Sequence, residues 1–214
     1  MFGLENFAAL NNALKKTSIQ VLERKSYPLG VKDLAPVLRG IKDQNPDAFI
    51  GITYPPDTIL ASRQAREVGL YPKFFYASVG TAFQLYKNVM QANTEGVIGM
   101  GSWSVKTSPE AKAYFDAHVK KFNKEPDRWA SGHAWAGLQI LQQAVEKAGL
   151  DRKALREHIA KNEFKTILGG IRFQGSENAS IPGTVSQWQG SDFEVVWPKD
   201  RATAQLNTAK PAWK

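Results

Sequence analysis

The chain has 214 residues, a formal net charge of +8 and no cysteine. The lack of cysteine excludes disulfides, thiolate metal sites and a cysteine nucleophile. With 43% hydrophobic and 22% charged residues, the composition predicts a packed globular core. The basic residues are spread along the whole length, which indicates a solvated surface and argues against a nucleic-acid interface. No apolar run approaches the roughly 20 residues that span a bilayer.

Helices and strands alternate through the first half of the chain. Asp33 is a suitable N-cap because its carboxylate can accept from free backbone N–H groups, and Gly69 takes the usual position after a helix end. The short apolar run at 48–53 is typical of a strand in a parallel sheet. The predicted elements are helices over 4–17, 34–43 and 58–68, and strands over 19–22, 48–53 and 73–77. This alternation predicts the α/β class.

The second half begins with a glycine-spaced extended segment over 95–103. Ser108 followed by Pro109 opens a helix, and Asp151 caps another that ends near Asn162. A longer helix is predicted over about 129–148, and strands are predicted over 166–173, 184–188 and 193–197. After Pro198 the residues are small and polar, which predicts a surface tail over 199–214.

Four segments of the first half carry a family resemblance. They are Tyr27-Pro28-Leu29-Gly30, Asn45-Pro46-Asp47, Tyr54-Pro55-Pro56-Asp57 and Gln64-Ala65-Arg66-Glu67-Val68-Gly69. In this order they resemble the periplasmic solute-binding proteins of the branched-chain amino acid (Leu/Ile/Val-binding) ABC transporter family. The later segments Ile167–Phe173 and Val195–Pro198 extend the resemblance to about residues 1–198.

The resemblance implies a fold and a domain organisation. We expect an α/β, type I periplasmic-binding-protein-like fold, with two lobes made of parallel sheets flanked by helices. The implied lobes are a ligand-binding lobe over 1–98, a partial second lobe over 99–182, a return to the first lobe over 183–198 and a tail over 199–214. In the family a further segment precedes the position of Phe2. We therefore expect a chain that lacks its N-terminal portion, with one lobe incomplete.

The resemblance also implies that the protein binds a ligand and does not catalyse a reaction. The expected role is the substrate-binding component of an ABC-type importer for amino acids or related small carboxylates, including aromatic acids. The implied partners are ABC permease subunits, with no nucleic acid, no direct membrane span and no cofactor, and the implied location is the periplasm. One alternative is a ligand-sensing or regulatory domain of the same fold. The other alternative is an α/β hydrolase-type enzyme. The sequence argues against it, because the chain has no G-x-S-x-G elbow and no P-loop.

Transfer of the family's ligand positions gives four candidate ligand-binding residues: Phe2, Tyr54, Ser78 and Trp129. Thr81 is a fifth candidate, because it offers a further hydroxyl in the loop of Ser78. Tyr54 and Ser78 follow predicted parallel strands, whose carboxyl ends are where ligands bind in open α/β sheets. Phe2 and Trp129 could equally be core or rim aromatics. Amino acid binders of the family commonly have a glutamate where Ser78 stands, so the serine favours a ligand without an ammonium group. The three histidines lack metal-ligand spacing, and we expect no metal or catalytic site.

Overall fold

The structure, a computed structural model, describes residues 2–181 and 183–214. Its helices are α1 (Phe2–Leu14), α2 (Ala35–Asp43), α3 (Pro55–Val68), α4 (Gln84–Met90), α5 (Pro109–Phe122), α6 (Ala130–Ala148) and α7 (Arg152–Lys161). Its strands are β1 (Ala48–Ile50), β2 (Phe74–Tyr76), β3 (Ile98–Gly101), β4 (Glu163–Thr166), β5 (Gly169–Gln174), β6 (Glu177–Asn178), β7 (Thr184–Gln189) and β8 (Asp192–Trp197). Short 3₁₀ turns cover Val79–Ala82, Gln91–Thr94 and Lys199–Arg201.

The described residues form two compact units. The first contains the chain up to Met100 together with Gln187–Ser191 and Leu206–Lys214, and the second contains Gly101–Ser186 and Asp192–Gln205. The lobes inferred from the sequence, with boundaries at 98, 182 and 198, stay a prediction. Met1, which that prediction includes in the first lobe, lies outside the described residues.

The first unit is organised around a parallel sheet. Ala48 pairs with Phe74 and Ile50 with Tyr76 between β1 and β2, and Tyr76 pairs with Ile98 between β2 and β3. Phe49 stacks on Phe75 with ring centroids 4.8 Å apart. Helices flank this sheet, and α3 turns its small residues inward, with Ala61, Ser62 and Ala65 all buried. The predicted alternation of helices and parallel strands is therefore present, and it brings the ends of β1 and β2 to one edge.

The C-terminal segment differs from the surface tail that the sequence predicted. Trp213 is only 8% exposed, lies edge-on to Phe75 at 5.1 Å and donates from its indole Nε1 to the Leu70 carbonyl at 3.0 Å. The Lys210 backbone N–H also donates to the Lys73 carbonyl. Because a buried indole needs a hydrogen-bond acceptor, this contact explains why the last residues lie against the first unit.

The second unit has its own core. α5 and α6 pack with the β4–β5 hairpin around a cluster of apolar side chains: Trp103, Ala111, Ala136, Ile140, Ala144, Phe164, Ile167, Leu168 and Ile171. Gly132 in α6 permits this packing, since an added Cβ would lie 2.5 Å from the Trp103 ring. The helix caps are those expected, with Ser108 accepting from Ala111 N–H and Asp151 from Ala154 N–H.

Two predicted strands differ from the structure. Residues 19–22 form no strand, and Ile19 is 62% exposed, because the sheet order begins at β1 and leaves that segment without a partner strand. The strand expected over 166–173 is broken at Ile167 and Leu168, where β4 turns back on β5 with Thr166 opposite Gly169. Both apolar turn residues are buried, so their hydrophobicity did not distinguish a turn from a strand.

Candidate functional site

Tyr54 lies where the sequence placed it, just beyond the carboxyl end of β1. It is the N-cap residue of α3, in an extended conformation, and its side chain is 44% exposed. The Phe2 ring from α1 lies 5.1 Å from the Tyr54 ring with a tilt of 34°. The structure therefore brings two of the candidate residues together as an accessible aromatic pair at the sheet edge.

A buried hydroxyl network holds this edge in place. The Thr53 and Thr58 hydroxyls are 2.6 Å apart. The Thr58 hydroxyl also lies within reach of the Tyr54 carbonyl (3.0 Å) and of the Ala77 carbonyl (3.4 Å). These residues belong to the segment after β1, the first turns of α3 and the residue after β2. The network therefore fixes the backbone that carries the Tyr54 ring.

Ser78 directly follows β2 and has a constrained backbone. Its φ of 41° and ψ of −146° are rarely adopted by residues other than glycine. Its side chain is buried, and its carbonyl accepts from the Thr81 hydroxyl and from Met100 N–H. Burial raises the pKa of the Tyr76 hydroxyl, and a hydrogen bond with Ser78 opposes that rise. Ser78 is thus an interior, hydrogen-bonded residue of the edge.

Thr81 is also interior. Its hydroxyl donates to the Ser78 carbonyl at 2.8 Å, and its own carbonyl accepts from the Trp188 indole at 2.9 Å. The neighbouring Gly99 has no room for a side chain, since an added Cβ would collide with the Thr81 hydroxyl and lie 2.5 Å from the Ser78 carbonyl oxygen. The structure therefore joins Ser78 and Thr81 in one packed loop behind the aromatic pair.

Trp129, the remaining candidate, belongs to the second unit. It is the N-cap residue of α6, half-buried, and its ring lies 5.7 Å from that of His133. Its backbone N–H donates to the Asp127 carboxylate and its carbonyl accepts from the Ser102 hydroxyl. These bonds fix the start of α6, where the half-buried indole lies.

Asp57 is a residue of this edge that the sequence reasoning did not select. It occupies the first turn of α3, three residues after Tyr54, and it is only 6% exposed. Burial raises the pKa of its carboxyl group. Burial also raises the pKa of the Tyr27 hydroxyl to about 12, and the charge of Asp57 adds to that rise. An acidic residue in the first turn of a helix is common because it favours the helix dipole, so no local pattern indicated that this one is buried.

Other kinds of site find no support in the part of the chain that the structure describes. No group of three or more His, Cys, Asp or Glu side chains there is placed to hold a metal ion. None of the helices among these residues has the length and apolar character that a bilayer crossing requires.

The comparisons with known proteins agree with this arrangement. The family model described as periplasmic binding protein matches residues 1–192. The chain belongs to the periplasmic binding protein family. A curated relative, the Leu/Ile/Val-binding protein homolog 7 of Brucella suis, is 24% identical over 210 residues, which are 90% of this chain and 51% of that protein. The resemblance seen in the sequence is confirmed, and the chain spans about half the length of the curated relatives it matches.

Solved structures support the fold class. A leucine-binding protein from Thermotoga maritima has a TM-score of 0.75 and 27% identity over 92% of this chain and 57% of that chain. An ABC transporter solute-binding protein from R. palustris, solved in complex with benzoate, has a TM-score of 0.80 and 14% identity over 98% of this chain and 57% of that chain. The predicted type I periplasmic-binding fold is confirmed, and in the second case the likeness is one of fold alone.

Proposed function

We propose that this chain supplies ligand contacts of a solute-binding protein that takes amino acids or related small carboxylates, including aromatic acids, for an ABC-type importer. The observation that carries this proposal is the accessible Phe2–Tyr54 pair at the carboxyl edge of the parallel sheet. Edges of this kind are where open α/β sheets bind ligands. Two proteins similar to this chain, one named as leucine-binding and one solved with benzoate, indicate the ligand class.

The aromatic pair suits the apolar body of such a ligand. Two rings with 5.1 Å between their centroids offer a surface on which a branched aliphatic or a phenyl group can pack, and the hydroxyl network beneath them limits their movement. Ser78 and Thr81 belong to the loop after β2 of the same unit, and they are proposed as ligand-binding residues together with Tyr54 and Phe2. Trp129 is proposed separately as a ligand-binding residue of the second unit. We propose residues 1–98 as the ligand-binding lobe.

The role proposed is binding and delivery without chemical change. ABC permease subunits are the proposed partners and the periplasm is the proposed location, because both follow from membership of this family. Selection of one conformation by the ligand would be the signal that the permease recognises.

Calorimetric titration of the chain tests the proposal. L-leucine, L-isoleucine and benzoate are the probes, and glucose is the control solute. We expect the carboxylates to bind with a Kd on the order of a millimolar and glucose to show no binding. Tyr54→Ala should weaken carboxylate binding about tenfold, since the ligand loses the aromatic surface that it would cover.

Tyr71→Ala is the matched control, because Tyr71 is also an exposed tyrosine of the first unit, 57% accessible, away from the edge residues described above. It should leave the affinity unchanged. Equal binding of glucose and the carboxylates, or equal effects of the two tyrosine substitutions, would refute the proposal.

A further inference from the structure

The carboxylate of Asp57 is an unusual feature of the sheet edge. The residue as a whole is only 6% exposed. No hydrogen bond or ion pair reaches this carboxylate from any side chain or backbone group within residues 2–181 and 183–214. Neither carboxylate oxygen is among the fully buried, unpartnered polar atoms of the described residues, so the carboxylate keeps a small contact with solvent. A carboxylate that loses much of its hydration without gaining a partner is costly.

The neighbours of Asp57 do not neutralise it. Tyr27 is close enough for the Asp57 charge to raise its pKa, so the Tyr27 hydroxyl keeps its proton and brings no positive charge. Pro55 and Pro56 fill the first two positions of α3, and neither has a backbone N–H to donate to the carboxylate. Within the helix, the negative charge of Asp57 is then offset only by the partial positive charge at the N-terminus of α3.

Asp57 lies in the first turn of α3, three residues after the tyrosine of the aromatic pair. A side chain at the third position of a helix leans back over the N-cap residue, which here is Tyr54. The Phe2 and Tyr54 rings at this point offer faces that attract cations. An acidic side chain therefore follows, by three residues, the tyrosine of the aromatic pair.

We propose that Asp57 binds the ammonium group of an amine-bearing ligand whose apolar body packs on Tyr54 and Phe2. This inference rests on the proposed function and narrows its ligand class to amino acids. Ser78 alone favours a ligand without an ammonium group. Asp57 supplies, from the first turn of α3, the acid that position 78 lacks.

Calorimetry with two matched pairs of probes tests the inference on the full chain. The pairs are L-leucine with 4-methylpentanoate and L-phenylalanine with 3-phenylpropanoate, which differ only in the amino group. Isobutylammonium is a fifth probe, since it carries the cation without a carboxylate. In the unsubstituted chain each amino acid should bind about tenfold or more tightly than its partner, as expected of a charge-assisted hydrogen bond.

Asp57→Asn should remove that preference and the binding of isobutylammonium, while the two acids keep their affinities. The Tm of the ligand-free variant should be unchanged or higher, because an uncompensated charge is removed. Asp57→Glu should restore part of the preference. Asp33→Asn is the matched control, since that exposed carboxylate already accepts from Ala35 N–H and from the Gln64 amide.

The outcomes separate this inference from the function on which it rests. If the acids bind as well as the amino acids, or Asp57→Asn leaves the preference intact, the inference is wrong and the proposed function stands. A lowered Tm together with loss of all binding would make Asp57 a structural residue and overturn the inference. If none of the five probes binds, both the inference and the proposed function fail.

Discussion

Gly99 shows how closely single residues are packed behind the candidate site. An added Cβ would collide with the Thr81 hydroxyl and lie 2.5 Å from the Ser78 carbonyl oxygen. We expect Gly99→Ala to lower the free energy of unfolding by about 1–3 kcal/mol, the usual cost of overpacking. Urea denaturation followed by circular dichroism measures this change.

Gly40→Ala is the control for that substitution. Gly40 lies inside α2 of the same unit, where an added Cβ meets nothing within 4 Å. Here alanine should raise the free energy of unfolding by about 0.5–1 kcal/mol, because a helical glycine loses more conformational freedom on folding. Two substitutions with the same sign would contradict the packing described for the loop after β2.

Lys210 gives a prediction about pH. Burial lowers the pKa of its amine from 10.5 to about 8, although the amine lies 3.4 Å from the centre of the Trp213 ring. Between about pH 8 and 10.5 the unfolded chain binds more protons at this residue than the folded chain does. The contribution of Lys210 to the free energy of unfolding should therefore rise with pH across that window.

Lys210→Met removes this titration and keeps most of the apolar stem. The difference in free energy of unfolding between the unsubstituted chain and the variant should move in favour of the unsubstituted chain from pH 8 to 10.5. Other groups that titrate in this range, including Tyr27, cancel in the difference. Parallel stability curves for the two proteins would show that the Lys210 amine is not desolvated.

At the scale of elements, Trp213 is a buried anchor of the C-terminal segment. Trp213 packs edge-on to Phe75 and donates to the Leu70 carbonyl. Trp213→Ala should lower the free energy of unfolding by about 3–5 kcal/mol. Leu85→Ala, at a position 60% exposed in α4, should change it by no more than about 0.5 kcal/mol. A change of similar size for both variants, measured by urea denaturation, would mean that the segment is a surface tail after all.

Helices with local start and stop signals could be predicted from the sequence. Ser108 and Asp151 accept the backbone N–H groups expected of helix caps, and Gly69 ends α3 with a φ of 75°. Asp33 accepts from Ala35 N–H as expected, although Leu34 is the N-cap residue of α2. These features depend on a few neighbouring residues, so the chain specifies them by itself.

Elements that depend on distant partners were harder to predict. Residues 19–22 have the composition of a strand, but a strand exists only where another strand pairs with it. The turn at Ile167 and Leu168 is apolar because it faces the core of the second unit. The burial of Trp213 depends on Leu70 and Phe75, more than a hundred residues earlier in the chain, and no local pattern announces it.

At the scale of the whole molecule, some positions of the candidate site could be predicted from the sequence, and others depend on contacts with distant residues. The position of Tyr54 at a strand end could be predicted, because the order of parallel strands and helices fixes which ends share an edge. The interior positions of Ser78 and Thr81 could not, since they depend on close packing against Gly99. The burial of Asp57 depends on its surroundings in the folded unit and on the approach of Tyr27.

The central claim is that the carboxyl edge of the first unit's sheet contacts a small carboxylate ligand. Titration of the ¹⁵N-labelled chain with L-leucine, followed by amide chemical shifts, tests it most directly. The account predicts saturable shifts at Gly51–Tyr54 and Ala77–Thr81, and none at α7 or at Leu206–Lys214. Shifts confined to the second unit, or no saturable shift at either loop of the edge, would contradict it.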